Sequence, residues 1–468
     1  MISQCNRLFI IYLVIFFTLL PTRIGIAFTV GEEKELGEKL LYTIRSNFQV
    51  LDDPDLKQYV TKLGEEVLVT AGVQFFNYHF FIIKNKEFNA FAAPSGLIFF
   101  HSGLIEKVES ENEFVSVLAH EIGHIVKRHL ASRIDKDKKI SIATMGLALA
   151  SLALGGGAIT EALLTGSMAA GQSARLHFSR LDEEEADLLA YDWMKELNRS
   201  PEGQVGMLQT MRQIARYRSG MIPQYLLTHP NPESRLDYVQ SLVEYEKKEI
   251  AEMDRGDDVA FLRFKFRILT QVKESIFLRG YYSSILSSDK VSQDTRMMAK
   301  YGLAQLDSAE NNYSSSLELM NEVIEYFNDK NIFLIDLGII EFESGNAEKA
   351  YEILNKAFDK NRANMYAAFA LAKVCFNIGK FDKAENLFKS VMYEIPEFAK
   401  VYYELGRLSA AKGLPAETNF YLGKFYLYEG KLKLSRNKLD TALKSKSLPS
   451  EIELDAKRSL ELIDRLEK

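Results

Sequence analysis

The sequence predicts a mainly α protein in two parts: an α+β domain with a small β-sheet, then an all-α repeat solenoid. Three observations carry this. All seven histidines of the 468 residues (79, 101, 120, 124, 129, 177 and 229) fall in the first half. No proline lies between Pro232 and Pro396, so that long stretch can be helical throughout. Within it, the small residues Ala304, Gly338, Ala372 and Gly406 recur at a fixed step of 34.

Composition narrows the function classes. Hydrophobic residues make up 47% and charged residues 26%, the balance of a globular chain and not of a disordered or fibrous one. With 58 Lys+Arg against 64 Asp+Glu, the net charge of −6 gives no support to a nucleic-acid binder. Cys5 and Cys375 are the only cysteines, too few for a disulfide framework or a cysteine metal cage. Any metal must therefore be held by histidine and carboxylate.

The elements follow in order. Arg7, the uncharged run from Leu8 to Thr22, Arg23 and Gly25-Ile26-Ala27 read as a signal peptide over 1–27, cleaved after about Ala27. The run is shorter than the ~20 residues that span a bilayer; an uncleaved membrane anchor is the alternative. Cleavage removes Arg7 and Arg23 with no acid, taking the net charge from −6 to −8, and leaves Cys375 as the one thiol. Such a signal would export the mature chain from the cytoplasm. The histidine-bearing domain is then expected over 28–250.

In that domain, 34–70 carries apolar residues at helical spacing. Phe75 to Ile83 is aromatic and β-branched and predicts a strand. Asn89 to Ala92 leads into a Pro94-Ser95-Gly96 turn and a second strand, Leu97 to Phe100. Glu111 to Leu130 predicts a helix, with Phe114, Val117, Leu118, Ile122, Ile125 and Val126 on one broad stripe. Ile140 to Thr160 is uncharged and rich in Ala, Leu and Gly; each of Gly155, Gly156 and Gly157 costs a helix about 1 kcal/mol. Its length would permit a transmembrane helix; a buried or membrane-facing helical hairpin is expected instead, with a true span as the alternative, and 140–172 is the candidate for peripheral membrane contact. A further helix is expected from Asp182 to Leu197.

The repeat region, expected over 256–468, has further columns in the same phase. Ser316, Ala350 and Ala384 form one; Met320, Leu354 and Phe388 another; Val323, Ala357 and Val391 a third. This period, with small residues where paired helices touch, is the tetratricopeptide signature. The phase breaks after Gly406: Gly423 and Gly430 follow Gly406 and Gly413 by 17, half a unit. An irregular or overlapping C-terminal repeat is expected.

The chemistry is carried by His120-Glu121-Ile122-Gly123-His124, an H-E-x-x-H. Residues four apart share a helix face, so both imidazoles reach one ion. Glu121 sits one residue round, placed to take a proton from water, whose pKa falls toward ~7 at a zinc ion. A catalytic zinc wants a third protein ligand. Downstream runs Ser179-Arg180-Leu181-Asp182-Glu183-Glu184-Glu185-Ala186-Asp187. Glu183 and Asp187 share a face, so one can ligate while the other accepts a ligand histidine's N–H. Spacing alone does not choose between Glu183 and Glu184.

The run from Asn89 to His129, with S-R-L-D-E-E-E-A-D, resembles the gluzincin family that contains the CAAX prenyl-protein endopeptidase and the heat-shock membrane protease HtpX. The resemblance covers about residues 35–240 and implies an α+β zincin-type metalloprotease domain with one zinc per chain. It implies Glu183 as the third metal ligand beside His120 and His124, and Asp187 as the acid supporting a ligand histidine. The family's T-H-P-x-x-x-x-R also occurs, as Thr228-His229-Pro230 and Arg235. The resemblance implies that His229 approaches the zinc, either stabilising the transition state or occupying the open position in a latent form. Asn231-Pro232 reads as an N-cap with Pro at the first helical position, which puts Arg235 in the first turns; Arg235 is expected to be catalytic, with Glu121, His229 and Asn89.

An edge strand from the Asn89–Phe100 segment would pair with an extended substrate, and Asn89 could polarise the scissile carbonyl. His79, His101, His129 and His177 match no ligand spacing and are taken as structural or surface residues. An export signal in front and repeats behind resemble periplasmic family members that degrade misassembled outer-membrane proteins. Unfolded or misassembled proteins are the expected substrates, and the outer-membrane assembly machinery the expected partner of the repeats. The alternative is a repeat-based chaperone or adaptor with a latent or structural metal site. Glu121 discriminates, because a structural zinc does not need it.

Overall fold

A computed structural model describes residues 29–72, 74–136, 178–217, 224–445 and 447–467. The expected signal peptide, the 140–172 segment and His177 lie outside the described residues. Among the described residues no helix is long and apolar enough to cross a membrane.

The mainly α class with a small sheet holds. The stretch 34–70 is two helices, α1 (Val30–Asn47) and α2 (Pro54–Ala71), because Asp53 caps α2 and Pro54 opens it. Three strands follow: β1 (His79–Ile83), β2 (Ala90–Ala93) and β3 (Leu97–His101). Then come α3 (Ser102–Lys107), α4 (Glu111–Val126), α5 (His129–Lys136), α6 (Arg180–Glu196), α7 (Glu202–Tyr217), α8 (Gln224–Thr228) and α9 (Pro232–Tyr245).

The sheet order is β1-β3-β2, with β1 parallel and β2 antiparallel to β3. It departs from the sequence reading twice. β1 starts at His79 and not at Phe75, which is 66% exposed. Ala90–Ala93 is a strand of its own, because Ser95 (φ 69°) and Gly96 (φ 81°) reverse the chain tightly enough to lay it on β3. Both sheet faces are covered, which is why its residues read as continuous apolar runs. Phe80, Ile82, Ile98 and Phe100 face a core shared with α2 and α4, and Phe81, Ile83, Phe91 and Phe99 pack on Leu36, Leu40 and Ile44 of α1.

The predicted 111–130 helix breaks in two. Arg128 takes the left-handed conformation (φ 51°) between α4 and α5, and its guanidinium is held by Glu33 of α1 at 2.9 Å. The apolar stripe of α4 is also only half of its buried surface: every residue from Phe114 to Ile125 is buried, Ser116, His120, Glu121 and His124 included. A helix buried all round that carries charge needs partners for that charge.

The repeat part runs α10 (Asp258–Val272), α11 (Ser275–Leu286), α12 (Gln293–Ala309), α13 (Tyr313–Tyr326), α14 (Ile332–Glu343), α15 (Ala347–Lys360), α16 (Met365–Asn377), α17 (Phe381–Glu394), α18 (Ala399–Ala411), α19 (Pro415–Tyr428), α20 (Leu432–Leu443) and α21 (Ser450–Leu466). The 34-residue columns lie where paired helices touch. A Cβ on Gly338 would lie 2.6 Å from Leu354, and Ser316 Oγ donates to the Ala304 carbonyl at 2.7 Å. The half-unit step has a geometric form. Gly406 of α18 faces Leu422 of α19, Gly423 of α19 faces Leu439 of α20, and Ser435 Oγ donates to the Gly423 carbonyl at 2.8 Å. Thus α19 serves as the second helix of one pair and the first of the next.

The repeats curl back onto α1 and α2. Arg45 donates to the Tyr428 carbonyl at 2.7 Å, and Gly430 (φ 72°) sits so close to Ser46 that a Cβ would come within 2.6 Å of its nitrogen. Arg263 and Arg267 of α10 bind Asp55 of α2 at 2.8 Å each and also reach Asp336 of α14. Helix α10 belongs to both parts. Phe261, Phe264 and Ile268 enter the core around α4, while Phe266 and Leu269 pack with the repeats.

Candidate metal centre

Two helices build the centre. Ser110 caps α4 by accepting from Glu113 N, which fixes the phase of His120 and His124 four residues apart. Ser179 caps α6 in a reciprocal pair with Asp182. That cap gives each acid of the run a different place. Asp182 closes the helix end, Glu183 and Asp187 point inward at 1% exposure, Glu184 is exposed, and Glu185 reaches sideways to Lys127 and His129. The helices meet where both are smallest: a Cβ on Gly123 would lie 3.4 Å from the Ala186 backbone, ordinary contact with nothing to spare. A Cβ fits at Gly123, but a long or branched side chain at either position would press the two helices apart.

Ligand atoms of His120, His124, Glu183 and His229 all lie within 4.8 Å of one another, and all four residues are buried. His120 Nε2 is 3.0 Å from His124 Nε2 and 3.2 Å from His229 Nδ1. Glu183 Oε1 is 3.5 Å from His124 Nε2 and 3.0 Å from His229 Nδ1. The other nitrogen of each ring faces a separate group, within hydrogen-bond reach for His120 and His124 but not for His229. His120 Nδ1 is 2.9 Å from Asp187 Oδ1, His124 Nδ1 is 2.9 Å from His129 Nδ1, and His229 Nε2 is 3.6 Å from Glu121 Oε1. Three imidazole nitrogens facing one another in a dry interior cannot all be satisfied by one another's protons. One cation among them and the carboxylate satisfies all four, and this donor set suits a divalent transition metal.

Arg235 closes the back of the site. Its Nε and Nη2 each donate to Asp187 at 2.7 Å, and its Nη1 lies 2.6 Å from Glu183 Oε2. Burial alone would raise the pKa of Glu183; the charges of His229 and Arg235 overcome it and hold the carboxyl well below its usual value. Asp187 is likewise held below its usual value against its burial, by Arg235 and His120. Asn231 does stand at the N-cap of α9, but in the left-handed conformation (φ 60°) with no side-chain cap; asparagine tolerates that region, and Pro232 opens the helix.

Asn89 is buried at the head of β2, where its carbonyl accepts from His101 N at 3.0 Å, and it is not one of the four converging residues. Strand β2 is the sheet edge beside α4, and Ala92, Ala93 and Pro94 line a small recess with His124. His79 is half-buried and binds Glu397 of the repeats at 3.0 Å. Three residues at the centre carry no sequence signal. Tyr225 of α8 donates to Glu121 Oε1 at 3.4 Å, Phe178 stacks on His124 with ring centres 3.8 Å apart, and His129 meets His124. Only their place in the fold, not a motif, brings them here.

The model of peptidase family M48 matches residues 54–243, and a tetratricopeptide repeat model matches 341–403. The chain is 28% identical to the beta-barrel assembly-enhancing protease of Escherichia coli (strain K12) over 371 residues, 78% of this chain and 74% of that protein. It is 31% identical to a putative beta-barrel assembly-enhancing protease of Vibrio cholerae over 45% of this chain and 44% of that one. It is 28% identical to the mitochondrial metalloendopeptidase OMA1 of Schizosaccharomyces pombe over 39% of this chain and 51% of that one.

Proposed function

We propose, for a chain that carries a peptidase family M48 domain joined to tetratricopeptide repeats, a zinc-dependent endopeptidase of the periplasm that cuts misfolded or misassembled outer-membrane proteins. In this reading the protease unit is 28–250 and the repeat unit 256–468, with 1–27 removed as a signal peptide. The enzyme class is a metalloendopeptidase, and its metal is divalent. Zinc, the substrate and the compartment are the further steps, supported by the donor types and by the names of the relatives.

His120, His124 and Glu183 would hold the ion, which when bound supplies Lewis-acid chemistry for water and for the scissile carbonyl. The protein's own residues do the rest. Glu121, one position round α4 from His120, takes the proton of the attacking water and returns it to the leaving amine. Tyr225 holds Glu121 through its hydroxyl. Asp187 keeps the outer proton of His120, and Arg235 neutralises the two buried carboxylates. The repeats recruit unfolded chains or dock on the outer-membrane assembly machinery. An extended substrate laid along β2, the sheet edge beside α4, would bring its backbone to His124.

The observation that carries this reading is the convergence of four buried ligand atoms within 4.8 Å, with Glu121 alongside. Digestion of an unfolded β-barrel protein by the mature chain, set against Glu121→Gln, tests it. The variant should bind metal as the wild type does and lose about 100-fold or more in rate. Equal rates would favour the adaptor reading. His229 favours one refinement. Fully buried with a ligand atom among those of His120, His124 and Glu183, it would serve as a fourth ligand, which supports the latent form, and it would have to withdraw for substrate to reach the ion.

A further inference from the structure

We propose that His129 is a positioning residue for the metal centre, taking the outer N–H of His124 and so fixing which nitrogen of that ring faces the ion. The inference rests on the metallopeptidase reading above and adds a residue that no sequence motif supplies.

The geometry is a chain of four groups. His124 Nδ1 is 2.9 Å from His129 Nδ1, His129 Nε2 is 2.9 Å from Glu185 Oε2, and Glu185 Oε1 is 2.7 Å from Lys127 Nζ. Its protons can be arranged in one way that leaves His124 Nε2 bare for an ion. His124 Nδ1–H donates to His129 Nδ1, which must then be the unprotonated nitrogen of a neutral ring. His129 therefore carries its proton on Nε2 and donates it to Glu185. A carboxylate at the end of the chain selects the tautomer at its start. The other ligand histidine reaches the same state by a shorter route, with Asp187 directly on His120 Nδ1 at 2.9 Å. The two ligands are thus supported differently: one by a buried carboxylate, the other through an imidazole to a carboxylate whose side chain is 45% exposed.

The local backbone serves this arrangement. His129 lies five residues after His124, one beyond the helical neighbour position. A continuous α4 would carry it round to a different face. The left-handed Arg128, tied by Glu33, ends α4 and starts α5 so that the ring of His129 turns back over His124, 5.0 Å between centres. Phe178 stacks on the open face of His124, so the ring is held from its edge and from its face.

The test uses the full mature chain and zinc alone as the probe. Competition with a chromophoric chelator gives zinc affinity for the wild type, His129→Ala, His129→Asn and Glu185→Gln. His129→Ala should bind zinc about 10- to 100-fold more weakly. Asparagine puts an amide oxygen where Nδ1 stood, so His129→Asn should recover to within about threefold of the wild type. Glu185→Gln should lose affinity by less than His129→Ala. At saturating zinc, kcat of His129→Ala should return toward the wild type with KM for a peptide unchanged. Wild-type affinity in His129→Ala overturns the proposal, as does a His129→Asn no better than alanine. Should His129→Ala fail to fold by circular dichroism, His129→Gln, whose amide reaches the Nε2 position, takes its place as the variant without an acceptor at His124. A wild type that binds no stoichiometric zinc overturns the metallopeptidase reading instead.

Discussion

Arg235 and Asp187 form a two-bonded fork inside the protein, with both bonds at 2.7 Å, and the same guanidinium reaches Glu183. One cation thereby answers for two carboxylates that would otherwise repel each other and take up protons in a dry interior. Arg235 is thus a support for the ligands and sits behind them, which is a more definite place than its motif gives.

Removing that cation leaves two buried anions short of a partner. Arg235→Ala is expected to cost about 3–5 kcal/mol of stability, read as a lowered midpoint in urea, with weaker metal retention. Arg235→Lys should recover little of either, because an ammonium cannot make the planar fork. A lysine variant that matches the wild type in both would remove this role.

His229 is expected to restrain the enzyme. His229→Ala should raise the initial rate on an unfolded protein several-fold, measured at matched metal content. A large fall in kcat would instead assign His229 to the transition state, and unchanged kinetics would remove it from the site.

The contact of Gly123 with Ala186 sets how near α6 comes to α4. Ala186→Leu touches no ligand, yet it should overpack this crossing by about 1–3 kcal/mol and reduce bound metal. Metal analysis after gel filtration reads the outcome; full metal content would mean that the helices tolerate a wider crossing.

Glu397 joins the repeats to α2 and β1 through Lys57 at 3.5 Å and His79 at 3.0 Å. Burial pushes its pKa up, but Lys57, His79 and Arg45 win and lower it to about 2. A carboxyl that is more acidic folded than unfolded stabilises the fold above its unfolded pKa of ~4.3, and that stability is lost as pH falls toward 2. Glu397→Gln should therefore melt below the wild type at pH 7, and the gap should close on acidification between about pH 5 and pH 2. A gap that stays constant through this range would refute the shift.

Much of this was legible along the chain because it is local. The paired imidazoles of α4 follow from four-residue spacing, and the repeat columns follow from contacts sixteen residues apart within one hairpin, as at Gly338 and Leu354. Glu183 and Glu184 could not be told apart by spacing, since both sit in the same turn; the Ser179–Asp182 cap sets the phase that sends one inward and the other to solvent. His129 and Tyr225 were illegible for a different reason. His129 depends on one left-handed residue, and Tyr225 on how α8 docks, and neither leaves a periodic trace. Strand β2 was legible only as part of the Asn89–Phe100 segment, because four residues, three of them alanine, carry little strand signal of their own.

A repeat array in which each unit touches only its neighbours is free of what lies upstream. Helix α10 denies this chain that freedom. A foreign array grafted in its place would have to bring its own Phe261, Phe264 and Ile268 to plug the space beside the catalytic helix, and its own pair of arginines to meet Asp55. The repeat part and the metal-bearing part are thus joined through one shared helix, and a chimera that swaps one without the other should come apart at that seam first.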